Sequence, residues 1–251
     1  MLVQTGDGVG IGGFIIAGST PKHVLLRGMG PTLIRYGILN ALADPILELH
    51  GPGGFTTITN DNWADTQQAQ IEATGLAPDS DNESAIDATL APGSYTAVIR
   101  GKGNTSGVAL VEIYDLDQTS SKLGNISTRA IVGTGNNLVI AGVGLSGSGT
   151  DRLVIRGIGP SLAPTFFPTS AVLADPTLEL RDENGAQLAT NNDWQDDPAQ
   201  AAEITAAGLA PSNSKESAIA ATLPPGFYTA LLTGVNSGTG IGIVEIYDRG
   251  P

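Results

Sequence analysis

The chain contains no cysteine. Thiol catalysis, thiolate zinc sites and disulfide stapling are therefore excluded. Basic residues are also scarce: 12 Lys and Arg stand against 25 Asp and Glu, a net charge of −13. Nucleic acid is not an expected partner, because phosphate binding needs clustered Lys and Arg. The same argument disfavours an anionic membrane surface. No apolar run reaches the roughly 18 residues that a spanning helix needs, so no membrane insertion is expected. The opening Leu2-Val-Gln-Thr-Gly-Asp7 has neither the basic start nor the long apolar core of a signal peptide. Charged residues make up only 15 % of the chain and aromatics 5 %. What is abundant is Gly (34) and Pro (15), alongside Thr, Val and Ile, a composition that favours strands and tight turns over helices.

Self-similarity organises the rest. Val24-Leu-Leu-Arg-Gly-Met-Gly-Pro-Thr-Leu33 matches Leu153-Val-Ile-Arg-Gly-Ile-Gly-Pro-Ser-Leu162, and Ala43-Asp-Pro-Ile-Leu-Glu-Leu49 matches Ala174-Asp-Pro-Thr-Leu-Glu-Leu180. Asn60–Trp63 matches Asn191–Trp194, Glu83-Ser-Ala-Ile86 matches Glu216-Ser-Ala-Ile219, and Val111-Glu-Ile-Tyr-Asp115 matches Val244-Glu-Ile-Tyr-Asp248. The offset drifts from 129 (Arg27 to Arg156) to 131 (Trp63 to Trp194) to 133 (Tyr95 to Tyr228), so copy two carries two short insertions. Loops absorb insertions and strands do not. The reading is two tandem modules, residues 1–116 and 125–251, joined by a polar linker at 117–124. Leu123-Gly-Asn-Ile-Ser-Thr-Arg129 leads into copy two, and copy one shows no counterpart, because Met1 aligns with Ala130. The expectation is a slice of a longer array, or a subunit whose leader a neighbour supplies.

Within copy one, short apolar runs bounded by turn residues predict strands at 13–17, 22–27, 45–50, 56–60, 84–90, 95–101 and 108–115. Pro92-Gly93 and Pro225-Gly226 suit a type II turn and predict a hairpin between the runs beside them. Asp197-Pro198 and Gly208 bracket a predicted helix at 199–207, with a counterpart at 66–74. The fold class expected is all-β: two antiparallel β-sandwich, jelly-roll-like modules, each with one short helix.

Few residues point to chemistry. Gly8-Val-Gly-Ile-Gly-Gly13 satisfies G-x-G-x-x-G but precedes a β-like run rather than a helix, and copy two breaks the pattern. A bulged or tightly packed strand is the better reading. His23 and His50 have no counterparts in copy two and are read as surface residues. Asp61, Asn62 and Asp65, with Asn192, Asp193, Asp196 and Asp197, supply hard oxygen donors that could hold calcium. Their spacing is not that of the Asp-x-Asx-x-Asx-Gly loop, and capping of the next helix explains them too. Trp63 and Trp194 are either platforms for sugar stacking or plugs over a core. Arg27 and Arg156 end apolar runs, and Glu112 and Glu245 interrupt them. A charge in such a run needs a partner, so Arg27 is expected to pair with Glu112 or Glu48, and Arg156 with Glu245 or Glu179. No pair of carboxylates is distributed as a glycosidase would need.

The motifs Asn-Ile-Ser-Thr-Arg, Gly-Thr-Gly, Arg-Gly-Ile-Gly-Pro-Ser-Leu, Asp-Pro-Thr-Leu-Glu-Leu, Asn-Asp-Trp and Val-Glu-Ile-Tyr-Asp cover nearly the whole chain. They resemble a repeat of about 125 residues that recurs in tandem in large secreted proteins of Verrucomicrobia and related bacteria. The resemblance implies an extracellular or cell-surface modular protein and brings no catalytic residues with it. The function expected is a non-catalytic structural or adhesive module, the subunit of a surface fibre or filament, that associates end to end with itself or with neighbouring repeats. The alternative is a calcium-assisted carbohydrate-binding module that takes a glycan.

Overall fold

The computed structural model describes all 251 residues, Met1–Pro251. The chain divides into two compact units, Met1–Gly124 and Asn125–Pro251. Both are built of antiparallel sheets with few helical residues, an all-β sandwich.

The first unit contains β1 (Leu2–Val3), β2 (Gly10–Ala17), β3 (Lys22–Met29), β4 (Pro45–His50), β5 (Ile58–Asn60), the helix α1 (Gln68–Ala73), β6 (Ser84–Leu90), β7 (Gly93–Gly101), β8 (Gly107–Val108) and β9 (Leu110–Asp115). One sheet has the order β2-β7-β4-β5, the other β6-β3-β9, and β1 pairs with β8. In β2 buried and half-buried residues alternate, as expected of a strand with one face on the core. In β3 the alternation is lost, because both faces are covered. Leu25 turns away from the sandwich interior into a cluster with Trp63, Ile71 of α1 and Ala85. A Cβ on Gly28 would collide with the buried Ser84 side chain, and one on Gly157 would collide with Ser217. Here glycine is needed for close approach.

The second unit repeats this plan. Its elements are β10 (Lys122–Val132, in this unit from Asn125 onward), β11 (Val139–Leu145), β12 (Asp151–Ile158), β13 (Pro176–Asp182), β14 (Gln187–Asn191), α2 (Pro198–Ala206), β15 (Ser217–Leu223), β16 (Gly226–Gly234) and β17 (Gly240–Asp248). The sheets run β11-β16-β13-β14 and β15-β12-β17-β10.

Three expectations are corrected. The runs flanking Pro92-Gly93 do not form a hairpin: β6 pairs with β3, whereas β7 pairs with β2 and β4. The Pro-Gly segment carries the chain from one sheet to the other. The Tyr95 hydroxyl donates back to the Ala91 carbonyl at 2.9 Å, and Tyr228 does the same to Pro224, the corner clamp known from other sandwiches. The segment 117–124 is not a free linker: it belongs to the first unit, where Lys22 Nζ reaches Asp117 and the Ser121 hydroxyl bonds Thr20. Finally, α1 is shorter than α2. Asp197 caps α2 by accepting from the Ala199 and Gln200 amides, whereas Gln67 before α1 makes no cap and spends its amide on the Asp87 backbone.

Candidate functional site

The residues that recur in both copies meet in one network per unit. Arg27 on β3 lies opposite Glu112 on β9. Its Nε and Nη2 donate to Glu112 Oε2 at 2.8 and 2.5 Å, and its Nη1 donates to the Leu76 carbonyl at 2.7 Å. The Tyr114 hydroxyl accepts from Nη2 at 2.8 Å and donates to Glu112 Oε1 at 3.1 Å. The guanidinium also lies 4.9 Å from the Tyr114 ring centroid, a cation–π geometry. Arg156, Glu245, Tyr247 and the Leu209 carbonyl reproduce every one of these contacts. Burial, then the neighbouring Glu112 and Glu245 charges, raise the pKa of Tyr114 and Tyr247. The other candidates pair elsewhere: Glu48 takes Arg100 at 2.8 Å, and Glu179 takes Arg181 at 2.7 Å.

A second pair of residues was missed in the sequence. Glu83 and Glu216 are wholly buried. The Glu83 carboxylate accepts from the Gly30 and Thr32 amides at 3.0 and 2.9 Å and from the Thr32 hydroxyl at 2.8 Å. Glu216 accepts from Gly159, from the Ser161 amide and from the Ser161 hydroxyl. The Glu83 and Glu216 carbonyls accept the Trp63 and Trp194 amides, both at 2.8 Å. Asn60 and Asn191 accept from Ala85 and Ala218. Their signal was the identical Glu-Ser-Ala-Ile in both copies.

The tryptophans pack as plugs. Trp63 is only 8 % exposed, and Trp194 packs against Val154, Ile204 and Ala218 beneath α2. Both indole N–H groups are buried without a hydrogen-bond partner. The loop acids are met by lysine ammonium groups. Lys102 Nζ lies 2.6 Å from Asp61 and 3.6 Å from Asp44. Lys215 lies 2.7 Å from Asp175, with Asp193 near enough to raise its pKa further. Asn62 donates to Asp65, and Asp197 serves as the α2 cap. No three His, Asp or Glu side chains gather as a metal-holding group. Of the two histidines, His23 sits 2.9 Å from Asp87 and His50 sits 3.4 Å from Glu48.

Lys22 is the other charge the sequence did not flag. Its side chain is 2 % exposed and touches Asp115 and Asp117 at 2.8 and 2.9 Å. Burial alone would lower its pKa; the bonds and charges of the two carboxylates outweigh that and raise it. Lys22, and then the His23 amide, hold Asp117 well below the usual carboxylate range.

No protein-family model matches the chain, and no curated protein matches it.

Proposed function

We propose that the chain is a non-catalytic structural or adhesive repeat module of an extracellular or cell-surface fibre, which associates with neighbouring repeats. One observation carries the reading: the motifs shared by the two copies are spent on each other. Arg27 holds Glu112, Glu83 holds the Gly30–Thr32 turn, and Glu83 and Asn60 fix the Trp63 loop, with the same bonds in the second copy. Catalytic groups, by contrast, are kept exposed to substrate with geometry and pKa tuned to a reaction. Chains that repeat one supersecondary plan stack or link their units into long assemblies.

Electron microscopy of the purified chain, with and without calcium, tests the proposal. Regular filaments are expected. Discrete particles of two units under both conditions would overturn self-assembly, and filaments only with calcium would assign the ion a part in the joint.

A further inference from the structure

How a strand pair is loaded decides how it fails. The ladder bonds of an antiparallel pair run perpendicular to the strands. Force applied along the strands at opposite ends loads every rung together. Force applied at one shared end loads the first rung alone, and then the next. In the second unit β10 and β17 stand in register from Asn125 opposite Tyr247 to Val132 opposite Gly240. The chain passes from the first unit into the second at Gly124–Asn125, and β17 ends at Asp248. Entry to this pair and exit from it therefore lie at the same end.

The two strands are not held equally. Residues Ile243–Asp248 of β17 are paired with β12. Arg152 extends that hold past the strand: its carbonyl accepts from the Arg249 amide at 2.8 Å, and its own amide donates to the Gly250 carbonyl at 3.0 Å. Within the second unit β10 is bonded to β17 alone. Burial along β10 is graded as well. Asn125, at the entry, is buried, and its Nδ2 donates to the Ile246 carbonyl at 3.1 Å. Ile126, Ser127, Thr128 and Arg129 are half-buried. Ala130 and Val132, at the far end, are 4 % and 0 % exposed. The Arg129 guanidinium lies 5.1 Å from the Phe167 ring centroid, a second hold just before the buried end.

We infer that β10 is a strap, which tension along the chain peels from β17 while β17 stays on β12. Release starts when the Asn125 side chain leaves the Ile246 carbonyl. It runs through the half-buried rungs from Ile126 to Arg129 and halts where Ala130 and Val132 enter the core. The strap is thus a locally opening segment of low stability on a unit whose core remains folded. It gives length under load and closes again when the load drops, because β17 is still in place on β12 to receive it. The inference rests on the repeat-module reading for the tension, whereas the order of release follows from the register and the burial alone.

The chain has no cysteine of its own, so introduced pairs give defined attachment points for optical tweezers on the full chain. Lys122→Cys with Pro251→Cys pulls along the chain's own path through the second unit. Asn136→Cys, in the exposed turn after β10, with Pro251→Cys enters β10 from its far end and shears the same ladder. The first unit lies outside the loaded path in both. At equal loading rate the second unit should open on the first axis at a force lower by about twofold or more, after a short extension that closes on relaxation. Asn125→Ala should lower the force of that extension. Equal forces on the two axes, or a higher force on the first, overturn the inference, and so does an extension that Asn125→Ala leaves unchanged. The comparison of axes alters no residue of the ladder, so it decides the matter even if Asn125→Ala fails to fold. Filaments together with equal forces would remove the strap and leave the module reading standing. A lower force on the first axis without filaments would keep the strap and remove self-assembly.

Discussion

Lys22 shows how much a single residue can hide. In the sequence it is an ordinary lysine at the head of a strand; in the structure it is buried between Asp115 and Asp117. Asp117 has a depressed pKa, so its contribution to stability is present above the ordinary carboxylate value of 3.8 and is lost as pH falls through its lower folded value. Lys22 has a raised pKa, so its contribution is complete below 10.5 and is lost as pH rises through the higher folded value. Both are therefore in place across the neutral range. Lys22→Met leaves two carboxylates facing each other without the ammonium between them. The expected result is a melting temperature lowered by several degrees, with a deficit that is constant through neutral pH and shrinks in acid as Asp117 protonates. Thermal melts of both proteins over a pH series measure this. A deficit that grows in acid would refute the assignment.

At the scale of elements, periodicity and punctuation read differently. The strands were legible because apolar runs and turn residues alternate at strand length, and β4 and β6 fall where the runs lie. The β6–β7 connection was not legible. Pro-Gly specifies a reversal of the chain but not whether the two arms share a sheet, and here the arms enter different sheets. Glu83 was illegible for a related reason: a buried carboxylate satisfied by backbone amides looks like any loop acid until the turn at Gly30–Thr32 folds onto it. The Arg–Glu pairing could be narrowed to two partners but not to one, because cross-strand register chooses between them. The α2 start was readable, since an acid, a proline and a terminal glycine mark a helix chemically. Asp197→Ala removes the side chain that accepts from Ala199 and Gln200. It should cost about 0.5–2 kcal/mol, read as a lower unfolding midpoint in denaturant. Asp196→Ala, one residue earlier and outside the cap, should leave the midpoint where it is.

At the scale of the whole molecule, the two units share a plan and differ in burial along one strand. In the second unit β10 covers β17, and Val244 and Ile246 are buried. In the first the matching residues of β9 stay half-open. Burial of apolar surface is the dominant favourable term in folding, and Val111 and Ile113 bury less of it than Val244 and Ile246. Calorimetry of the intact chain should therefore resolve two transitions, the lower belonging to the first unit. Equivalent deletions assign them: Ile71 of α1 and Ile204 of α2 are both fully buried, in the clusters that hold each helix to its sheet. Ile71→Ala and Ile204→Ala should each cost about 2–5 kcal/mol. That corresponds to a shift of roughly 10 °C or more for a unit of this size. Ile71→Ala should move the lower transition alone and Ile204→Ala the upper alone. If Ile204→Ala moves the lower transition instead, the smaller burial along β9 is not what separates the two stabilities, and the difference must be sought in the cores.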